Sequence, residues 1–275
     1  HNNHLIWKDR KVADKYANNI DGLIELYEDF CTKLKKVYSN DEFPIILAGD
    51  HSSAAGTISG IRSSFPDKRL GVVWVDAHAD LHSPYTSPTG NVHGMPLAVC
   101  LNEDNLENKK NNVSEHSIAK WETLKSIDNI VPKILKEDLV FIAVRDTEDE
   151  EDYLIAEKGI KNISVGELKL KGAEQIAEET LAYLDHCDLL YISFDVDSMD
   201  CNLISHGTGT PVPNGLDELE ATTLLTELAK SDKLCCFEVT EINPTLDEKT
   251  NTMAETAFRV LDKVTDVIES NIEQY

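Results

Sequence analysis

The 275-residue sequence predicts an α/β protein, a three-layer α/β/α sandwich with a mostly parallel central sheet, formed as a single domain over residues 1–275. Three observations predict it. Short apolar runs alternate along the chain with amphipathic stretches of helical period, which implies right-handed crossovers between parallel strands. The runs are continuously apolar rather than alternating, as strands covered on both faces require. No internal repeat, Pro-rich linker or low-complexity block divides the chain.

In chain order, Ile20 to Val37 has apolar residues at i, i+3, i+4 spacing and reads as a helix. Pro44 to Ala48 reads as a strand that delivers Gly49-Asp50-His51-Ser52 at its end. Leu70 to Val75 is a second strand, followed at once by Asp76-Ala77-His78-Ala79-Asp80. The polar segment Asn102 to Asn112 is expected to be an exposed loop without a role. Leu139 to Val144 is a strand leading into the acidic segment Arg145 to Glu151, and Asn162 to Val165 is another. The helix Ala173 to Leu184 precedes the strand Leu189 to Phe194, from which Asp195 and Asp197 follow. The helix Leu216 to Ala229 precedes the strand Leu234 to Val239, after which comes Glu241. Thr252 to Ile268 closes the chain as a helix. In such sheets ligands bind beyond the carboxyl ends of the strands, so these polar residues gather on one rim.

Composition narrows the function. A net charge of −24, from 26 basic and 50 acidic residues, argues against nucleic acid, whose phosphates would be repelled. No stretch approaches the roughly 20 apolar residues that span a bilayer, and the polar start (His1-Asn2-Asn3-His4) does not read as a signal peptide. The six cysteines lack metal-type CxxC spacing; Cys187, Cys235 and Cys236 lie in or beside apolar runs, as reduced core thiols do, and a cytoplasmic protein is expected.

The three acidic-histidine segments supply two histidines and five carboxylates. Residues at i, i+2 and i+4 of an extended segment project to one side, so Asp76, His78 and Asp80 converge, and Asp195 and Asp197 repeat the arrangement. Burying such a cluster without cations would force protonation. Carboxylate oxygens with a minority of imidazole nitrogens suit manganese or a similar dication, and the count exceeds the needs of one ion. Two such ions can activate a water molecule. Four aspartates and a hydroxide against two dications leave the site slightly negative, which favours a cationic group such as a guanidinium.

These motifs, in this order, resemble the ureohydrolases, the arginase and agmatinase family of binuclear manganese enzymes, from about Pro44 to Pro244 and beyond. The resemblance implies that His51, Asp76, Asp80 and Asp195 hold one Mn2+ and that Asp76, His78, Asp195 and Asp197 hold the other. Asp80 would also accept a hydrogen bond from the bridging hydroxide. It implies that Glu241, in Glu-Ile-Asn-Pro, pairs with a guanidinium and that Thr210 lines the same pocket. The segment Pro88-Thr89-Gly90-Asn91-Val92-His93-Gly94 resembles the arginase form of its loop. There Thr89 and Asn91 would meet the substrate carboxylate and His93 would shuttle protons.

The sequence also departs from the family pattern. Ala48 replaces a glycine before Asp50-His51, and His82 stands where most arginases have a substrate-contacting asparagine. Glu148 replaces a shorter aspartate, with Glu151 matching the glutamate beyond it. The segment from Asp197 to Thr210 is one residue longer than in animal arginases, and the family's first strand has no counterpart before His1. The expectation is hydrolysis of L-arginine to L-ornithine and urea by a homo-trimer or homo-hexamer that meets neither membrane nor nucleic acid. The alternatives are another guanidino hydrolase such as an agmatinase, or a non-catalytic relative. Co2+, Ni2+ and Zn2+ also suit the ligand set.

Overall fold

The computed structural model describes residues 15–248 and 250–272. The expectation about a strand before His1 lies outside them. Six parallel strands form one sheet: β1 (Ile45–Leu47), β2 (Leu70–Val75), β3 (Leu139–Ile142), β4 (Lys161–Ile163), β5 (Leu189–Asp195) and β6 (Leu234–Thr240). Their order across the sheet is β1-β6-β5-β2-β3-β4.

Nine α-helices cover the two faces among the described residues. On one face lie α1 (Ile20–Ser39), α2 (Ser53–Ser64), α3 (Pro96–Leu101), α4 (Glu115–Lys125) and α5 (Asp149–Lys158), packed on Leu70, Val72, Trp74, Phe141 and Tyr191. On the other lie α6 (Val165–Lys171), α7 (Ala173–Tyr183), α8 (Glu218–Ala229) and α9 (Thr252–Ile272), packed on Val73, Val75, Ile142, Ile192 and Phe194. Successive residues of one strand thus serve opposite layers, which explains why the central strands are apolar at every position.

The expected strands and the four expected helices all form, with ends shifted by a few residues. Helices α2 to α6 were not expected. In α2 the residues Ser53 to Ile61 are buried all round, so no polar face marks the period. Its small side chains let it lie against α1: a Cβ on Gly60 would come within 2.6 Å of Leu34 Cδ1. Two further expectations are corrected. Strand β1 is not covered on both sides, because Leu47 is 70% exposed at the edge of the sheet. Nor is Asn102 to Asn112 simply an exposed loop. Asn105 and Asn111 are buried, and their amides donate to the carbonyls of Glu150, Pro84 and Ser87. Asn111 thereby anchors the loop that follows the Asp76–Asp80 segment.

The strand order reverses direction between β2 and β5, at the centre of the sheet. Val75 pairs with Phe194, so the chain leaves these neighbouring strands with Asp76 and Asp195 side by side. This is the crevice where a parallel sheet receives ligands.

Candidate metal centre

The turn between β1 and α2 places His51, only 2% exposed, over the carboxyl ends of the central strands. Its Nδ1 lies 2.9 Å from Asp76 Oδ2 and 3.2 Å from both Asp80 Oδ2 and Asp195 Oδ2. The other ring nitrogen, Nε2, lies 2.7 Å from Ser193 Oγ. Trp74 stacks on the imidazole. A second group forms beside the first, with His78 Nδ1 3.0 Å from Asp197 Oδ2 and 3.5 Å from Asp76 Oδ1. Asp76 therefore faces one histidine with each oxygen.

Backbone groups fix the carboxylates. Asp76 Oδ1 accepts from His78 N, Asp195 Oδ1 from Asp197 N and Asp197 Oδ1 from Ala77 N. Asp80 adopts φ +51°, a left-handed conformation that Asp tolerates and that turns its side chain back toward His51.

The electrostatics call for cations. Burial, and then the charges of Asp197 and Asp76, push the Asp195 carboxyl well above its usual range. Burial and the charge of Asp76 likewise raise Asp80 and Asp197. Asp76 is also penalised by burial, yet bonds from His51 and His78 hold it well below the usual range. His51 Nδ1, Asp76 Oδ2 and Asp80 Oδ2 are buried and lack an aligned hydrogen bond among the described residues. Three carboxylate oxygens thus converge on one buried imidazole nitrogen, a costly arrangement that a cation at that point would relieve. The donors are oxygen and imidazole nitrogen, as hard or borderline dications prefer, in two overlapping sets, His51/Asp76/Asp80 and Asp76/His78/Asp197. The residues fit a pair of such ions.

Glu241 follows β6 at φ +64°, and its Oε1 accepts a 2.9 Å bond from the His51 amide. Burial raises its carboxyl to about 7. Thr210 donates to Asp197 Oδ2 at 2.9 Å, so it supports a carboxylate of the centre. Asp50, in the same motif as His51, does not join the cluster; it accepts from the Ser52 amide and hydroxyl as a turn former.

Around the rim, His82 sits between Thr86 Oγ1 at 3.1 Å and Glu148 Oε2 at 3.0 Å. Glu151 is 3% exposed and accepts from the amides of Leu81 and Glu148. As the fourth residue of a capping box on α5, it holds Glu148 in place. Thr89 and Asn91 are exposed, and Thr89 Oγ1 accepts the Asn91 amide at 3.1 Å. His93 is half-buried in the turn Val92–Gly94, and no described residue hydrogen-bonds its ring.

Three supporting residues were not foreseen. The Arg145 guanidinium donates to the carbonyls of Ala143, Asp197, Val212 and Pro213, tying the Asp197 turn to the segment that leads from Thr210. A lone arginine directly after an apolar strand, inside an acidic run, was its signal. Asn18 donates to Asn91 Oδ1 at 3.1 Å and its amide to the Gly90 carbonyl at 2.8 Å, bracing the Thr89–His93 loop. Ser193 lay within the expected strand Leu189 to Phe194 but was given no role. Nothing in the sequence pairs Asn18 with residue 91 or Ser193 with His51, because those contacts join distant segments.

Comparison with known proteins gives a consistent picture. The model of the Arginase family matches residues 5–265. The chain is 34% identical to the arginase of Bacillus subtilis (strain 168) over 251 residues, 91% of this chain and 78% of that protein. It is 35% identical to the arginase of Bacillus caldovelox over 241 residues, 87% of this chain and 74% of that one. The crystal structure of arginase from Bacillus subtilis subsp. subtilis str. 168 superposes with a TM-score of 0.79 at 34% identity, covering 92% of this chain and 81% of that chain.

Proposed function

The chain belongs to the arginase family, and from that premise we propose that it hydrolyses L-arginine to L-ornithine and urea at a centre of two Mn2+ ions. The observation that carries this reading is the convergence of Asp76 Oδ2 and Asp80 Oδ2 on His51 Nδ1, at 2.9 and 3.2 Å, all three buried and without an aligned hydrogen bond among the described residues, with Glu241 hung from the His51 amide. One ion is assigned to His51, Asp76, Asp80 and Asp195, the other to Asp76, His78, Asp195 and Asp197. Bound there, the ions would supply the Lewis-acid charge that lowers the pKa of a water molecule and makes it a nucleophile at neutral pH.

The protein's own groups do the rest. Glu241 presents a carboxylate to the guanidinium, and because its Oε1 is fixed by the His51 amide, the acceptor and the metal ligand keep one relative position. A bound guanidinium holds Glu241 ionised against the burial that raises its carboxyl to about 7. Thr210 steadies Asp197 from the pocket side. Thr89 and Asn91 stand at the exposed mouth, where they would receive the substrate carboxylate. His93, with no protein partner on its ring among the described residues, is free to pass a proton to the leaving amine.

A second reading, another guanidino hydrolase such as an agmatinase, draws on one contact. His82 lies 3.0 Å from Glu148, so a carboxylate whose charge suits the α-ammonium group of arginine already has a partner. Urea release from L-arginine and from agmatine by Mn2+-loaded protein, with metal content measured alongside, separates the readings. No urea from arginine by protein holding two ions would refute the first.

We also propose a cytoplasmic homo-oligomer, a trimer or hexamer. All six cysteines are buried free thiols, as in reducing compartments. Leu170, Leu219 and Phe258 are large apolar side chains left 86%, 75% and 67% exposed on α6, α8 and α9. Light scattering that finds only monomers would refute the assembly. No helix among the described residues is long and apolar enough to cross a membrane.

A further inference from the structure

At the rim opposite the candidate metal centre, three neighbouring strands begin side by side. Arg69 directly precedes β2, Asp138 directly precedes β3, and His186 and Cys187 lie just ahead of β5. Because β5, β2 and β3 are adjacent in the sheet, the approach to each strand brings these four side chains together. Asp138 is only 1% exposed, and its Oδ1 gathers the other three. Arg69 reaches that oxygen through Nε at 2.9 Å and Nη2 at 2.7 Å, His186 through Nε2 at 2.8 Å and Cys187 through Sγ at 3.6 Å. Four contacts are more than the two lone pairs of one carboxylate oxygen accept well.

Nitrogen, oxygen and sulfur donors that meet in this way make a metal-binding set. Among the described residues it is the one group of candidate ligands that includes a thiol, and it shares no residue with the two-ion centre. A tetrahedral Zn2+ bound to these atoms would hold sulfur about 3.5 Å and nitrogen about 3.3 Å from the oxygen. The observed 3.6 and 2.8 Å leave the thiol where it is and ask His186 to withdraw slightly. His186 has the room, since its side chain is 39% exposed, and that opening gives the ion a way in. Cys187 is held against Gly71, where a Cβ would already come within 3.2 Å of Sγ. Arg69 does not block the ion. Its Nε also lies 2.9 Å from Asp138 Oδ2, which orients the carboxylate from behind, and its Nη2 shares its charge with Glu137 at 3.3 Å.

We propose that His186 Nε2, Cys187 Sγ and Asp138 Oδ1 form a third metal site, which takes a borderline dication such as Zn2+ with water as the fourth ligand. The ion displaces the Cys187 proton to solvent, and the thiolate and carboxylate together offset its charge. Without it, burial and then the Asp138 charge push the thiol up to about 12. The bound ion ties together the starts of β5, β2 and β3, two of which carry Asp76 and Asp195 at their far ends. Its role is to stabilise the fold, apart from the hydrolytic step and independent of it.

Co2+ is the probe, because a Co2+-bound thiolate gives a near-ultraviolet charge-transfer band that carboxylate and imidazole ligands do not give. Mn2+-loaded protein titrated with Co2+ is expected to develop that band, and Zn2+ added afterwards to remove it. Cys187→Ser is expected to abolish the band, whereas Cys235→Ser, which removes a buried thiol elsewhere, keeps it. His186→Ala is expected to weaken Co2+ binding about 10-fold or more. Zn2+ at about 100 times its dissociation constant should raise the thermal midpoint of Mn2+-loaded wild type by about 5 °C, and that of Cys187→Ser by less than about 1 °C. If Cys187→Ser does not fold, His186→Ala, at a half-exposed position, carries the test. No thiolate band in wild type, or one undiminished in the folded variants of Cys187 and His186, overturns the proposal. Neither readout involves urea release, so that result leaves the hydrolytic reading standing.

Discussion

The indole of Trp74 lies flat on the imidazole of His51, with ring centroids 3.9 Å apart and planes 6° from parallel. Trp74 is fully buried on β2, two residues before Asp76, so the strand that delivers a shared carboxylate also supplies the surface that fixes the histidine. Large-to-small replacement in a core costs both transfer energy and a cavity. Trp74→Ala is expected to destabilise the metal-free protein by about 3–5 kcal/mol in urea unfolding. Trp74→Phe, which keeps a stacking ring, is expected to lose less and to retain metal.

Four buried carboxylates beside two histidines make the metal-free centre a source of repulsion. Asp195→Asn is expected to bind fewer than two ions per chain, yet to unfold at a higher temperature than wild type when both are metal-free. Mn2+ at about 100 times its dissociation constant should reverse that order, since binding to the folded state alone adds about 2.7 kcal/mol. Calorimetric scans with chelator and with Mn2+ check the crossing; a metal-free Asp195→Asn protein less stable than wild type contradicts the repulsion.

Gly90 has φ +76°, and a Cβ there would approach the Lys15 carbonyl oxygen to 2.2 Å. Gly90→Ala must move either the 15–18 segment or the loop carrying Thr89, Asn91 and His93. We expect KM for L-arginine to rise by about 10-fold or more, the equivalent of about 1.4 kcal/mol, with metal content unchanged. Steady-state kinetics with parallel metal analysis decides it, and an unaltered KM would remove the loop from substrate binding.

Arg145 satisfies carbonyls from three separate segments: Ala143 after β3, Asp197 after β5, and Val212 and Pro213 ahead of α8. Replacement by Met preserves much of the volume but leaves those acceptors without donors, at about 1–3 kcal/mol for each that water does not reach. Arg145→Met is expected to lower the urea midpoint and weaken Mn2+ binding through the displaced Asp197 turn. Lysine, with a single ammonium, should rescue only part of this.

Buried thiols make stability fall at high pH. Burial raises Cys100 and Cys235 to about 12 from an ordinary 9.0. Between those values the unfolded chain has released protons that the folded chain keeps, so unfolding is favoured as pH rises. The stabilising contribution is intact below about pH 9 and is lost progressively toward pH 12, each thiol adding up to about 1.4 kcal/mol per pH unit to the slope. Urea midpoints measured from pH 8 to pH 11 should fall, and a Cys100→Ala, Cys235→Ala double variant should fall less steeply.

Wherever a local run carries the signal, the sequence already contained the answer. Leu70 to Val75 and Leu189 to Phe194 are apolar at every position because both sheet faces are covered, and the aspartates that follow them mark the binding rim. His51, Asp76, His78, Asp80, Asp195 and Asp197 were legible as candidate ligands because buried carboxylates of that number need cations. Helix α2 was not legible, since burial on all sides erases its period. The expectation for Asn102 to Asn112 failed because polarity alone does not show that Asn105 and Asn111 satisfy buried carbonyls.

By itself, then, the sequence determined the alternation of strands and helices and the chemistry waiting at the strand ends, both of which depend on residues near one another in the chain. Only the tertiary structure decided how that chemistry is aimed. It set the Asp50 carboxylate aside as a turn former, joined Glu241 to the His51 amide and put His82 against Glu148. It also stacked Trp74 on His51 and enclosed Glu238 with three hydroxyls. The physical reason is that hydrogen bonds and ring contacts act over a few ångströms between atoms of residues far apart in the chain, 190 positions for His51 and Glu241. Which of them meet depends on sheet order and register, and no local pattern encodes those.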